Sequence, residues 1–114
     1  MKYVDAHIHL SDPAYQGKTE SLIEDAKQSN IIAIVSNSMN LETSRSSLQL
    51  AQKHPNLVYA AIGIHPWNIK KLQPNETEDT VNLILKHKET KGNIVAIGEV
   101  GLDFQYVKTD ELLN

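Results

Sequence analysis

Apolar residues gather in four short runs separated by longer amphipathic stretches. The runs are YVDAHIHL at 3–10, IIAIVSNS at 31–38, LVYAAIGIH at 57–65 and NIVAIGEVG at 93–101. The last three are continuous rather than alternating, the pattern of parallel strands covered on both faces. Between the runs, apolar positions recur at helical spacing. Leu22, Ile23 and Ala26 mark a helix over about 19–30. Leu41, Leu48 and Ala51 mark a second over about 41–54, with Asn40 as its N-cap. Val81, Ile84, Leu85 and Lys88 share a face of a third over about 76–91. Asn75 and Glu78 read there as a capping pair and Gly92 as the stop, and another helix begins near Asp110.

The predicted order is β-α-β-α-β-α-β, with strand starts recurring roughly every 30 residues, the size of a βαβ unit. No linker or low-complexity stretch interrupts it, so residues 1–114 read as a single domain. Two α/β architectures fit. One is an open doubly wound sheet. The other is part of a (β/α)8 barrel, which needs about 250 residues when complete.

Polar residues inside the apolar runs bear on that choice. Strand side chains alternate, so Asp5, His7 and His9 are expected on one face and Val4, Ala6, Ile8 and Leu10 on the other, packed under helices. Two imidazoles spaced in this way reach a single metal ion, with Asp5 deeper and orienting one of them. The same spacing also suits two packed or exposed histidines. His65 follows the third run and precedes Pro66, which turns the chain away. It could hold a phosphate or a proton in transfer; taken alone it is a turn histidine. Glu99 interrupts the fourth run between Gly98 and Gly101. A carboxylate there is costly unless paired or bound to metal, and the glycines leave room for a ligand or ion. Asp103 reads as a turn residue. His7, His9, His65 and Glu99 all fall at C-terminal ends of predicted parallel strands, the edge where α/β folds bind ligands.

In order and spacing, DAHIHL, GIHP and IGEVGLDF resemble the successive motifs of TatD-type metal-dependent hydrolases, over residues 3 to about 106. The resemblance implies the N-terminal half of a (β/α)8 TIM barrel and a divalent-metal site, zinc, manganese or magnesium, that hydrolyses phosphodiesters, typically in DNA. It implies His7 and His9 as metal ligands, Glu99 as a carboxylate bridging two ions, and His65 beside the substrate phosphate, so that His65 and Glu99 are the catalytic candidates. Two further histidines and a late aspartate of the family pattern belong to strands beyond the fourth. The chain therefore reads as a truncated hydrolase, inactive or nearly so alone. A non-catalytic α/β module binding a metal or a phosphorylated small ligand is the alternative.

Composition adds exclusions. Fourteen acidic and 11 basic residues give a net charge of −3, so nothing suggests a strongly basic nucleic-acid surface. The absence of cysteine excludes disulfides and thiolate ligands and suits a reducing cytoplasm. No apolar stretch approaches the ~20 residues of a membrane helix, and no leader is seen. A half-barrel also exposes its inner face and both sheet edges; two copies burying that surface as a homodimer is one expected outcome, aggregation the other.

Overall fold

The computed structural model describes residues 1–90 and 93–107. Four strands form one parallel sheet in the order β1-β2-β3-β4: β1 Tyr3–Ile8, β2 Ile31–Asn37, β3 Val58–Ile62 and β4 Ile94–Ile97. Helices α1 (Thr19–Gln28), α2 (Leu41–Lys53) and α3 (Glu76–His87) connect them, with short 3₁₀ turns at Pro13–Tyr15 and Pro66–Lys71. Sequential order is what a barrel segment requires; a doubly wound sheet would break it. The sheet is open, with β1 and β4 at its edges. Among the described residues no helix is long and apolar enough to cross a membrane.

The core lies on one side of the sheet. Ile34, Val58, Ala60 and Ile62 of the strands meet Ile23 and Ala26 of α1 and Leu48 and Ala51 of α2, all buried. Each large aliphatic side chain buried there contributes roughly 1.5–3 kcal/mol. The inward face of α2 also carries Ser44 and Ser47, fully buried. Their small size lets α2 lie close on the sheet, and their hydroxyls stay bonded: Ser47 Oγ meets Ser36 Oγ at 2.9 Å and donates to Ser11 Oγ at 3.0 Å. Asn40 caps α2 by accepting the N–H of Thr43, as its sequence position predicts.

Four local expectations are corrected. In β1, Asp5 pairs with Ile34 but Ile8 pairs with Ser36, three steps against two. The extra residue shifts the alternation. Asp5 therefore sits on the α1 side, lining a hollow with Ile8, Leu10, Leu22 and Ile34, and not beside the two histidines. Ile8 and Leu10 pack inward as expected, but Val4 and Ala6 are exposed. At α3, Asn75 adopts a left-handed φ of 65° and its side chain makes no capping bond, so the pair with Glu78 does not form. Glu76 does the joining instead, accepting N–H bonds from Leu41 and Gln73. The inward stripe of α3 is Thr80, Leu83 and Ile84, while Val81 and Leu85 remain half-exposed. Gly92 and the helix near Asp110 lie outside the described residues.

Candidate metal centre

The C-terminal ends of β2, β3 and β4 are drawn together by main-chain hydrogen bonds. Ser38 N–H donates to Ala61 O (3.1 Å), Gly98 N–H to Ile62 O (3.0 Å), Glu99 N–H to Ser38 O (2.9 Å) and His65 N–H to Met39 O (2.8 Å). The loops after β2, β3 and β4 thus hold one another, and the side chains they carry are placed by backbone. Gly63 permits this approach. A Cβ there would stand 2.8 Å from both Gly98 C and Glu99 O. Gly98 and Gly101, expected to leave room for a ligand, are under no such constraint: a Cβ at Gly98 meets Ala61 Cβ at an ordinary 3.7 Å, and one at Gly101 meets nothing within 4 Å. The Gly98–Glu99 peptide is cis.

The structure brings His7, His9, His65 and Glu99 together and leaves Asp5 out. Glu99 Oε2 lies 3.0 Å from His9 Nε2 and 3.6 Å from His7 Nε2, and Glu99 Oε1 lies 3.8 Å from His65 Nε2. The His7 and His9 rings meet edge-on with centroids 5.2 Å apart. The Asp5 carboxylate still has a part, accepting the His7 N–H at 3.1 Å and fixing the backbone of the bulge that presents the ring.

Tautomers follow from hydrogen-bond partners. His9 Nδ1 lies 3.0 Å from the carbonyl of Asn37, which only accepts, so Nδ1 carries the proton. The Nε2 lone pair of a neutral His9 then faces a carboxylate oxygen. Two acceptors at 3.0 Å repel unless a proton or a cation lies between them. Glu99 Oε2 is shielded from solvent and accepts no hydrogen bond from any described residue. One ligand atom from each of His7, His9 and Glu99 lies within 4.8 Å of the others. Tetrahedral ligands about 2.0–2.2 Å from a zinc ion stand roughly 3.3 Å apart, so the 3.0 and 3.6 Å separations fit one ion.

His65 is built for something else. It caps the Pro66–Lys71 turn, and its Nδ1 accepts the N–H of Trp67 at 3.1 Å. The neutral ring therefore carries its proton on Nε2, the atom turned toward Glu99. It is a donor there, not a ligand. Asp103 is the turn residue expected of it, accepting N–H bonds from Gln105 and Tyr106 at 2.8 Å, and it also accepts the Trp67 indole N–H. These bonds, the Tyr106 one foremost, hold its carboxyl below the ordinary aspartate range.

Asn37 is a positioning residue that the apolar-run reading passed over. Its side-chain amide donates to Val35 O (3.0 Å) and Ala6 O (3.3 Å), tying the end of β2 to β1, while its main-chain carbonyl accepts from His9 Nδ1. The signal lay in the polar triplet Ser36-Asn37-Ser38 closing an apolar run, the same kind that marks Glu99.

The chain resembles known proteins over nearly all of its length. The chain is 34% identical over 117 residues to the metal-dependent hydrolase MJ1582 of Methanocaldococcus jannaschii, covering 100% of this chain and 44% of that one. It is 32% identical over 109 residues to the human deoxyribonuclease TATDN3, covering 89% and 38%. The crystal structure of the Escherichia coli TatD homolog YJJV superposes with a TM-score of 0.75 at 28% identity, over 96% of this chain and 40% of that one. The chain thus spans about two-fifths of the length of the relatives it matches. Residues 4–112 match the TatD related DNase family, and the chain belongs to it.

Proposed function

We propose that the strand-end cluster is a divalent-metal centre for phosphodiester hydrolysis, with DNA as the substrate class, and that residues 1–114 form one partial-barrel domain carrying its first ligands. The single observation that carries the reading is the shielded Glu99 Oε2 facing the His9 Nε2 lone pair at 3.0 Å. His7, His9 and Glu99 would hold the ion, and histidine with carboxylate suits zinc, manganese or magnesium. Bound there, it would polarise a phosphoryl oxygen and lower the pKa of a water.

The protein's own groups do the rest. Asn37 and Asp5 orient the two ligand histidines. Glu99, fixed by the Ser38 carbonyl, supplies the carboxylate. His65 presents its Nε2–H to a phosphoryl oxygen and stabilises the charge that develops on it. A reducing cytoplasm suits such a chain, which lacks cysteine.

The test is hydrolysis of bis(p-nitrophenyl) phosphate, an ester whose leaving group needs no protonation, alongside an unmodified DNA oligonucleotide. We expect slow, manganese-dependent release of nitrophenolate, lost in the His7→Ala, His9→Ala double variant. Cleavage of the oligonucleotide is expected to be marginal, because three ligands leave the clamp on the leaving oxygen incomplete. Ester hydrolysis that ignores metal or survives the double variant would overturn the reading. Phosphate binding without hydrolysis would point to a non-catalytic module.

A further inference from the structure

Nothing on the Glu99 side holds the His65 ring. Its Nε2 lies 3.8 Å from Glu99 Oε1, too far for a hydrogen bond. The ring is held from behind. Its Nδ1 accepts the main-chain N–H of Trp67, and the Trp67 indole meets it edge-on with centroids 5.0 Å apart. A half-turn of the imidazole would put a carbon in place of Nδ1 and aim the Nε2–H elsewhere. Trp67 therefore decides where that proton points.

Burial does not fix Trp67, which is 53% exposed. Asp103 does. One of its carboxylate oxygens, Oδ1, accepts the N–H groups of Gln105 and Tyr106 at 2.8 Å and anchors the residue in its own loop. That pair of bonds is all a turn aspartate needs. The other oxygen, Oδ2, crosses to the loop after β3 and accepts the Trp67 indole N–H. The Tyr106 ring then closes on the indole at 5.4 Å between centroids. Asp103 stands four residues after Glu99 on the same loop. One loop thus carries the Glu99 carboxylate and, by way of Trp67, the support of the imidazole that faces it. His7 and His9, on β1, lie outside this chain of contacts.

We propose that Asp103 is a positioning residue for His65: acting through the Trp67 indole, it keeps the imidazole turned so that its Nε2–H meets the substrate phosphate. The phosphate in this inference rests on the hydrolytic reading above, while the link from Asp103 to the ring does not. Asp103 touches neither the metal ligands nor the phosphate, so it bears on turnover and leaves metal binding alone.

Nitrogen–proton correlation spectra of the histidine side chains read the ring without metal or turnover, at about pH 8.5, where imidazoles are neutral. The unaltered protein is expected to show His65 in one tautomer, with its proton on Nε2. Asp103→Ala is expected to bring the His65 nitrogens toward the averaged shifts of an imidazole exchanging between tautomers. Trp67→Phe, which removes the indole N–H and keeps an aromatic ring, is expected to do the same, and it stands in where Asp103→Ala fails to fold. Hydrolysis of bis(p-nitrophenyl) phosphate with manganese gives the kinetic arm. Asp103→Ala is expected to lower kcat about ten- to a hundredfold, the scale of a displacement of up to ~1 Å, with zinc affinity unchanged. In a His65→Ala background the same substitution is expected to cost nothing further, because its effect passes through that ring. An unchanged His65 tautomer in both variants, or an equal loss with and without His65, would overturn the positioning role. Spectra that follow the expectation in a protein that cleaves no ester would overturn the hydrolytic reading alone.

Discussion

Replacing Gly63 by alanine tests whether close approach of backbone builds the metal centre. The new Cβ would stand 2.8 Å from Gly98 C, 2.8 Å from Glu99 O and 2.9 Å from Gly98 O. All three are backbone atoms, so no side chain can swing aside. Restoring ordinary contact requires the end of β3 and the segment bearing Glu99 to part by roughly 0.6–1 Å, at a cost of about 1–3 kcal/mol. Alanine offsets about 0.4–1 kcal/mol of this by narrowing the unfolded ensemble. The mid-range net loss of about 1.3 kcal/mol lowers Tm by roughly 5–10 °C for a domain of this size. The same displacement strains the Gly98–Ile62 and Glu99–Ser38 bonds and moves the Glu99 carboxylate off its partners. Zinc affinity should fall about tenfold or more, the scale seen when groups supporting a metal ligand are disturbed. Gly98→Ala is the control, since its Cβ meets Ala61 at an ordinary 3.7 Å. The assay is thermal unfolding by circular dichroism together with zinc titration. A Gly63→Ala protein that melts within about 2 °C of the original and binds zinc equally well would refute the reasoning.

Further outcomes follow from the start of α2 and from Asp103. Asn40→Ala removes the acceptor of the Thr43 N–H at the start of α2 and should cost about 0.5–2 kcal/mol in chemical denaturation, while Asn40→Asp should keep most of the stability. An Asn40→Ala protein as stable as the original would contradict the capping role. Asp103 titrates below its ordinary value because it accepts the Tyr106 N–H, the Trp67 indole N–H and the Gln105 N–H. With the folded value depressed, its contribution to stability is complete above the ordinary aspartate range and is lost as pH falls through the lowered value. Carbon NMR of the Asp103 carboxyl should therefore show a midpoint below the usual ~3.9, with the Trp67 indole N–H resonance moving in the same step. A midpoint at or above that value would contradict these hydrogen bonds to Asp103.

Much of this architecture was legible in the sequence because two periods carry it. Short apolar runs, three of them continuous, marked all four strands, and helical stripes marked α1 to α3, with helix starts placed correctly and ends overrun by one to four residues. The convergence of His7, His9, His65 and Glu99 was legible because parallel strands share one C-terminal edge. Period-2 counting failed at Asp5, where one extra residue in β1 moved the carboxylate to the other face. Apolar periodicity passed over Ser44 and Ser47, whose value to the core lies in small size and hydroxyls bonded at depth. It placed Val81 and Leu85 beside Ile84 in the α3 stripe, where the buried contacts fall on Thr80, Leu83 and Ile84. Gly63 was invisible for a related reason: its work is contact between loops far apart in the chain, which no local pattern encodes.

The account stands most directly on whether His7, His9 and Glu99 hold one divalent ion while His65 does not. Isothermal titration with zinc at about pH 7.5, where free imidazoles are mostly neutral, measures this without any need for turnover. The predicted result is one ion per chain, with affinity reduced at least about tenfold in His9→Ala and Glu99→Gln. His65→Ala should leave the affinity unchanged, because the proton on Nε2 makes that ring a donor. Zinc that fails to bind, or that binds equally well to His9→Ala and Glu99→Gln while His65→Ala abolishes it, would contradict the assignment.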